Sequence, residues 1–196
     1  MFPIPENVES AANVGCCGID GCTSTLIGAS LINAQRLCFL ATGDLAFFYD
    51  LNSLGNRHVN KNIRILLVNN GIGGEFKLAP HMCTEFGDEA NKFMAAGGHF
   101  GNKSPMLVKH YAEDLGFKYL SASNKEEYLV ALNEFVSPTI GDKPIIFEVF
   151  TDYHEENAAL EIMRNLSTDS KAQIKSAMKS IIGKKGISAI KSIVGK

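Results

Sequence analysis

No stretch of the sequence approaches the roughly 20 consecutive apolar residues that a membrane-spanning helix needs. Residues 1–10, MFPIPENVES, also lack the basic and apolar segments of a secretory signal peptide. We therefore expect a cytoplasmic protein. The 196 residues are 45% hydrophobic and 20% charged, which is typical of a globular α/β domain.

The sequence also lacks the short patterns of several site classes. Its five cysteines are an odd number, contain no C-x-x-C pair and have no histidine at zinc-ligand spacing. We interpret them as reduced, partly buried thiols rather than disulfides or zinc ligands. A P-loop, G-x-x-x-x-G-K-[ST], is missing, and no G-x-G-x-x-G follows an apolar strand, so two common nucleotide sites are excluded.

Charge is distributed unevenly along the chain. Residues 167–196 contain seven Lys and one acid and so carry +6, which leaves −8 for the first 166 residues because the whole chain carries −2. We therefore predict a domain over 1–166 and a basic C-terminal tail over 167–196. An apolar stripe beside the tail lysines predicts an amphipathic helix, which either lies on a membrane surface or packs on protein.

Continuous apolar runs alternate with helical patterns through the domain. Such runs are typical of parallel strands buried on both faces. The runs are Leu37–Thr42, Ile63–Asn69, Phe117–Ala122 and Ile145–Phe150. The helical patterns are Asp20–Ala34, Leu45–Leu54, Ser104–Leu115 and Asn124–Val136. This alternation predicts a three-layer αβα fold, an open and mostly parallel sheet with helices on both faces.

The glycine-rich segment 71–101 has few periodic apolar positions. It predicts a long active-site loop with one short helix near 88–96, since long loops in compact domains are usually functional. His81 and His99 in this loop are candidate acid–base groups, although solvated or orienting histidines are the simpler interpretation. His110 falls within a predicted helix, where a packed or surface role is expected.

Polar side chains follow the first two predicted strands. Asp44 comes after LCFLAT and Gly43, and Asn70 comes after IRILLVN. Ligands bind at the carboxyl ends of parallel strands, where these two side chains would be neighbours if their strands are adjacent. Carboxylate and amide oxygens suit Mg²⁺, whose shell is completed by phosphates, a backbone carbonyl and water. The pattern predicts a Mg²⁺–diphosphate site; the alternative is that Asp44 is simply a helix N-cap.

Glycines support the same prediction. Gly71, Gly73 and Gly74 follow the second strand and allow the backbone to approach a ligand closely. The residues after Asp44 open a predicted helix, whose first N–H groups favour a phosphate.

The ends of the first two predicted strands resemble a motif of the thiamine-diphosphate enzymes. Their diphosphate motif is Gly-Asp-X, then twenty-odd residues, then Asn-Asn after an apolar strand; here it runs from GDL at 43–45 to NN at 69–70. The segments GIDGCTSTLIGAS (18–30), GDLAFFYDLNSL (43–54), NNGIGGEFKLAP (69–80) and EVFTDYHEENAAL (148–160) are similar to the menaquinone-pathway synthases. The resemblance covers about residues 13–160.

The resemblance implies a set of site residues for thiamine diphosphate and Mg²⁺. Asp44, the Asn70 side chain and the Ile72 carbonyl would bind the metal, and the backbone at Leu45 and Ala46 would hold diphosphate oxygens. Ile19 would support the bent cofactor. The other cofactor-binding residues implied are Cys17, through its carbonyl, Gly18, Gly43, Gly73, Gly74 and Phe76, which lies in the loop over the cofactor.

Three positions depart from the synthase pattern. Val14 stands where the synthases have an Arg, and a second family Arg falls near Leu31. Both arginines would hold substrate carboxylates bidentately. Glu75 stands where an apolar residue would lie beside the cofactor. These departures favour another acceptor than isochorismate, or none.

The resemblance also implies that the chain is incomplete as a catalyst. Enzymes of this family need a pyrimidine-binding domain, which supplies the activating Glu. No such domain fits in these 196 residues. The implied partners are therefore a pyrimidine-binding domain or subunit, in a homo- or hetero-oligomer, and a small 2-oxo acid substrate, with no nucleic acid.

The implied function is decarboxylation of a 2-oxo acid with transfer or release of the acyl anion equivalent, as a transferase or lyase. Two alternatives stay open. One is the menaquinone-pathway synthase itself, acting on 2-oxoglutarate and isochorismate. The other is a non-catalytic interaction domain that keeps the fold.

Overall fold

A four-stranded parallel sheet forms the centre of residues 1–153, the first of two compact units. The computed structural model describes residues 4–12, 18–78 and 81–165. The strand order is β1-β2-β4-β3, and the strands are β1 (Cys38–Gly43), β2 (Ile63–Asn69), β3 (Lys118–Ala122) and β4 (Ile145–Phe150). The predicted α/β fold is confirmed, and each strand begins and ends within one residue of its predicted bounds.

Helices connect the strands and cover the sheet. The α-helices of the described residues are α1 (Cys22–Ser30), α2 (Asp44–Tyr49), α3 (Glu89–Lys92), α4 (Leu107–Asp114), α5 (Lys125–Phe135) and α6 (Tyr153–Asn165). Short 3₁₀ helices occupy Leu51–Gly55, Gly74–Lys77, Met82–Phe86 and Phe100–Asn102. The segment 71–101 is therefore built of several short helical turns rather than the single short helix that we predicted.

Two hydrophobic cores lie on opposite faces of the sheet. Residues in register, such as Leu40, Ile65 and Ile146, share one face and pack with α1, α2 and α4. The adjacent register, which includes Leu66 and Phe147, faces the other way and packs with α5. This alternation follows from the two-residue period of a strand, and it explains why the two central strands are apolar at nearly every position.

Strand β1 differs from this pattern because it lies at the sheet edge. Phe39 is 49% exposed, and Ala41 and Gly43 are also exposed, so one face of β1 is open to solvent in the described part of the chain. We predicted burial on both faces. The apolar run alone could not reveal the difference, because it does not show how far the helices extend over each face of the sheet.

Three helix boundaries differ from the prediction for local reasons. Helix α1 ends at Ser30. The side-chain amide of Asn62 donates hydrogen bonds to the carbonyls of Ser30, Asn33 and Arg36 there. Helix α2 ends at Tyr49 and is followed by a 3₁₀ turn. Helix α4 begins at Leu107, because the Ser104 hydroxyl accepts a hydrogen bond from the Met106 amide in the turn before it.

The N-terminal cap of α5 follows the prediction. Asn124 accepts a hydrogen bond from the Glu127 amide over 2.9 Å. The Glu127 carboxylate accepts from the Ser123 amide over 2.8 Å, one residue before the position of a standard capping box.

The second compact unit begins at His154, and α6 spans the boundary between the two units. The predicted tail over 167–196 lies outside the described residues. Among the helices that the structure describes, none combines the length and the apolar character that crossing a membrane requires.

Candidate functional site

The ends of β1 and β2 lie side by side. These strands are parallel neighbours, with Gly43 opposite Val68 in the register. The chain leaves β1 at Asp44 and leaves β2 at Asn69, so both exits meet at the carboxyl edge of the sheet. The prediction that Asp44 and Asn70 are neighbours required adjacent strands, and the structure shows that adjacency.

Asp44 is buried at this edge, with 1% of its surface exposed. Its Oδ2 atom accepts a hydrogen bond from the Gly71 amide over 2.9 Å and contacts His99 Nε2 at 2.8 Å. Asp44 is the first residue of α2, and the N-cap position belongs to Gly43. The carboxylate therefore turns toward the end of β2 and the glycine-rich loop, and the N-cap alternative is wrong.

A tight turn follows β2. The Asn70 side-chain oxygen accepts a hydrogen bond from the Ile72 amide over 3.1 Å. Gly71 adopts φ +77°, a conformation that residues with a Cβ rarely take, and a Cβ there would meet the side chain of Asn102. Ile72 is buried. The turn thus holds Asn70 and the Gly71 amide next to Asp44.

The glycine-rich loop returns to the same edge. The Gly73 amide donates to the Ala95 carbonyl over 2.6 Å, and the Gly98 amide donates to the Gly71 carbonyl over 3.3 Å. A Cβ on Gly73 would lie 3.2 Å from the Ala95 oxygen and 3.3 Å from the Phe76 ring. The loop therefore closes over the end of β2, and a Cβ at 73 would press on the Ala95 carbonyl and the Phe76 ring.

The other predicted site residues have separate positions. Leu45 and Ala46 are partly buried in the first turn of α2. Gly18 and Ile19 precede α1, and Ile19 is exposed. Gly74 and Phe76 lie in the 3₁₀ turn after Gly73. Cys17, and the departure at Val14, lie outside the described residues.

Asp50 links the α1 end of this region to α2. Its Oδ2 atom accepts a hydrogen bond from the Ser24 amide over 2.6 Å, in the first turn of α1. A carboxylate at this place accepts a hydrogen bond from an N–H group that has no partner within the helix. Its negative charge also interacts favourably with the positive end of the helix dipole. Sequence reasoning missed this contact, because Asp50 and Ser24 are 26 residues apart.

A second buried acid lies near Asp44. Glu148 on β4 is 1% exposed, and its two oxygens accept hydrogen bonds from the Asn69 side-chain amide and the Tyr119 hydroxyl, each over 2.6 Å. Burial raises the pKa of Glu148, the two hydrogen bonds lower it, and the charge of Asp44 raises it. Burial and the contact with Glu148 also raise the pKa of Tyr119. This network across β2, β4 and β3 was not predicted.

The loop histidines have different roles. His99 reaches Asp44, whereas His81 accepts a hydrogen bond from the Cys83 amide over 3.1 Å and packs edge-on against Phe76, with ring centroids 5.3 Å apart. His110 is an exposed residue of α4. Of the two candidate acid–base residues, His99 alone contacts a predicted metal ligand in the described residues.

The donor set of this edge is made of oxygens. Within residues 4–12, 18–78 and 81–165, no three His, Cys, Asp or Glu side chains cluster in a way that could hold a metal ion. A cation here would need Asp44, the amide oxygen of Asn70, backbone carbonyls and oxygens from a ligand. Such a set suits Mg²⁺, which keeps few protein ligands and takes the rest from phosphates and water.

Leu31 and Glu75, the other two departures from the synthase pattern, lie within the residues that the structure describes. Leu31 is 49% exposed at the end of α1. Glu75 is exposed in the first turn of the 3₁₀ helix Gly74–Lys77. Leu31 offers no guanidinium for a substrate carboxylate, and Glu75 is a charged residue where the resemblance implies an apolar one.

Comparison with known proteins finds relatives that carry one name, 2-succinyl-5-enolpyruvyl-6-hydroxy-3-cyclohexene-1-carboxylate synthase. The relative from Bacteroides fragilis is 34% identical over 161 residues, 82% of this chain and 27% of the synthase. The relative from Phocaeicola vulgatus is 37% identical over 160 residues, with the same coverage. The relative from Flavobacterium psychrophilum is 36% identical over 152 residues, 77% of this chain and 25% of the synthase.

No protein-family model matches the chain. The chain spans 27% of the length of the first relatives, so the match concerns a part of each synthase. Identity of this level over most of a chain reflects common descent. The chain is homologous to a segment of the 2-succinyl-5-enolpyruvyl-6-hydroxy-3-cyclohexene-1-carboxylate synthases that makes up about a quarter of the length of each synthase.

Proposed function

We propose that the chain is the diphosphate-binding domain of a thiamine-diphosphate enzyme that decarboxylates a 2-oxo acid. One observation carries this proposal: two parallel neighbouring strands end at Asp44 and at Asn69-Asn70, and the Gly71 amide joins these ends by its 2.9 Å hydrogen bond to Asp44. The homology to the synthases supports the same assignment.

The chemistry of the donor set fits Mg²⁺ bound to a diphosphate. Asp44 supplies a buried carboxylate, and Asn70 supplies a side-chain amide oxygen at the neighbouring strand end. The Ile72 carbonyl would be the third protein ligand. Amides at Leu45 and Ala46, and the glycines at 73 and 74, would bind and orient the diphosphate.

Thiamine diphosphate, when bound, supplies the electron sink for decarboxylation of a 2-oxo acid. The residues of this chain would hold its diphosphate end and exclude water around it. The segment at Cys17, Gly18 and Ile19 would orient the ring, and Phe76 would cover it. The group that activates the ring would come from a pyrimidine-binding domain or subunit.

The surface around the site supports the need for a partner. Large apolar side chains of the glycine-rich loop are exposed, among them Phe100 at 79%. The others in this loop are Met82, Phe86, Phe93 and Met94. Exposed apolar side chains grouped on one segment mark interaction surfaces. Together with the 27% coverage of the relatives, this surface favours a chain that works in a larger assembly.

A second candidate function is that of the relatives themselves, synthesis from 2-oxoglutarate and isochorismate. The names of the relatives favour it. Leu31 and the sequence position of Val14 argue against it, because isochorismate carries two carboxylates and these positions provide no arginine. Glu75 also argues against it, because it places a carboxylate where an apolar residue would lie beside the cofactor. The complete enzyme would separate the two candidates: isochorismate-dependent consumption of 2-oxoglutarate supports the synthase.

Binding of Mn²⁺ in the presence of thiamine diphosphate tests the proposal. Mn²⁺ reports through its electron paramagnetic resonance signal and replaces Mg²⁺ at oxygen-rich sites. We expect the full chain to retain Mn²⁺ in a thiamine-diphosphate-dependent manner and Asp44→Ala to lose this retention. The matched control is Asp142→Ala, which removes an exposed carboxylate. Equal retention by the wild type and Asp44→Ala would refute the proposed site.

A further inference from the structure

The two oxygens of Asp44 have different surroundings. Oδ2 contacts both the Gly71 amide, at 2.9 Å, and His99 Nε2, at 2.8 Å. Both contacts described for this buried carboxylate therefore fall on the same oxygen. Oδ2 is held by two protein groups, and Oδ1 is the oxygen that a ligand would take.

The direction of the hydrogen bond between His99 and Asp44 depends on the histidine tautomer. A carboxylate that binds a metal has no hydrogen to donate, so toward such a carboxylate the imidazole donates from Nε2. His99 also comes 55 residues after Asp44 in the sequence. The contact is thus a long-range hydrogen bond from the glycine-rich loop to the residue at the end of β1.

His99 packs against helix α2 and lies close to Gly101. Its ring lies against Phe48, with centroids 5.7 Å apart and planes at 60°. Phe48 and Asp44 are four residues apart in α2 and therefore lie on the same side of the helix. Gly101 lies close to both rings, since a Cβ there would meet the side chains of Phe48 and His99. The contact with Phe48 and the hydrogen bond to Asp44 define the position of the His99 ring.

We infer that His99 is a positioning residue for the metal, which fixes Asp44 through Oδ2 so that Oδ1 faces the cation. This inference rests on the proposed function. A ligating carboxylate that is hydrogen-bonded on its second oxygen keeps one orientation, and loss of such partners typically weakens metal binding by about 10–100-fold. If His99 instead blocked the metal site, its removal would change the metal affinity in the opposite direction and make binding tighter.

The test measures Mn²⁺ binding in the presence of thiamine diphosphate, on the full chain, for three substitutions. His99→Leu removes the donor and should weaken binding by about tenfold or more. His99→Gln keeps an N–H donor near the position of Nε2 and should restore most of the affinity. His110→Leu removes an exposed histidine of α4 and should leave the affinity unchanged.

The outcomes separate this inference from the proposed function. Rescue by His99→Gln, with similar urea unfolding curves for all variants, supports positioning, because a purely structural defect would not depend on an N–H donor. Unchanged or tighter binding by His99→Leu, with binding still abolished by Asp44→Ala, refutes positioning and leaves the proposed function intact. If Asp44→Ala also has no effect, the proposed function fails, and the inference fails with it.

Discussion

Glu148→Gln should change how the stability of the protein depends on pH. Glu148 is buried on β4, and burial raises its pKa above the ordinary value of 4.5. The folded state therefore keeps a proton that the unfolded state releases, at pH values from about 4.5 upward. In this window the wild type loses stability as the pH rises, because the unfolded state binds fewer protons than the folded state. Glutamine does not titrate and removes this loss.

The magnitude follows from linkage. One proton that differs between the two states changes the free energy of unfolding by about 1.4 kcal/mol per pH unit. The difference between Glu148→Gln and the wild type should therefore grow in favour of glutamine, by at most this slope, from the ordinary pKa of Glu148 up to its raised value. Glutamine fits the network, since its oxygen can accept from Asn69 and its amide can donate to the Tyr119 oxygen.

Urea unfolding followed by circular dichroism at pH 5, 6, 7 and 8 measures this difference. Glu126→Gln, an exposed carboxylate at the start of α5, is the matched control. Tyr119→Phe should extend the pH-dependent loss of stability to higher pH than in the wild type, because the Tyr119 hydrogen bond lowers the pKa of Glu148. Parallel curves for Glu148→Gln and the wild type across this range, or a wild type that gains stability relative to glutamine, would refute the reasoning.

Three further predictions concern the turns around the site and the tail. Asn62→Ala should lower the free energy of unfolding by about 2 kcal/mol, because it removes three hydrogen bonds to backbone carbonyls from a fully buried side chain; a loss below about 0.5 kcal/mol in urea would contradict this. Gly71→Ala should cost about 1–2 kcal/mol from its positive φ and weaken Mn²⁺ binding, since the new Cβ meets Asn102. A wild-type melting temperature for Gly71→Ala would argue against the strained turn. Removal of residues 167–196 should leave thiamine-diphosphate-dependent Mn²⁺ binding unchanged, and loss of binding would make the tail part of the site.

The strands were predictable because their signal is local. Ile63–Asn69 and Ile145–Phe150 are continuous apolar runs, and both match the observed strands residue for residue. The two central strands, β2 and β4, are covered on both faces, so nearly all of their positions are apolar. Strand β1 gave the same signal although one face is open, since its run contains exposed Phe39 and Ala41.

Part of the site was also predictable. The rule that ligands bind where parallel strands end led from two strands to Asp44 and Asn70, before their adjacency was known. Helix α4 shows the limit of local rules: Ser104 and Pro105 form a start signal, yet Ser104 caps a turn and the helix begins at Leu107. Local hydrogen bonds of similar strength compete there, and the sequence does not rank them.

The sequence by itself determined the parallel α/β architecture and the pair of polar strand ends, because apolar runs and strand-end positions are properties of single segments. Only the tertiary structure decided what surrounds them. The insertion of β4 between β2 and β3 brings Glu148 against Asn69 and Tyr119. The return of the glycine-rich loop brings His99 onto Asp44. Both contacts join residues more than 25 positions apart, and such contacts depend on the path of the whole chain, which no local pattern of hydrophobicity or turns records.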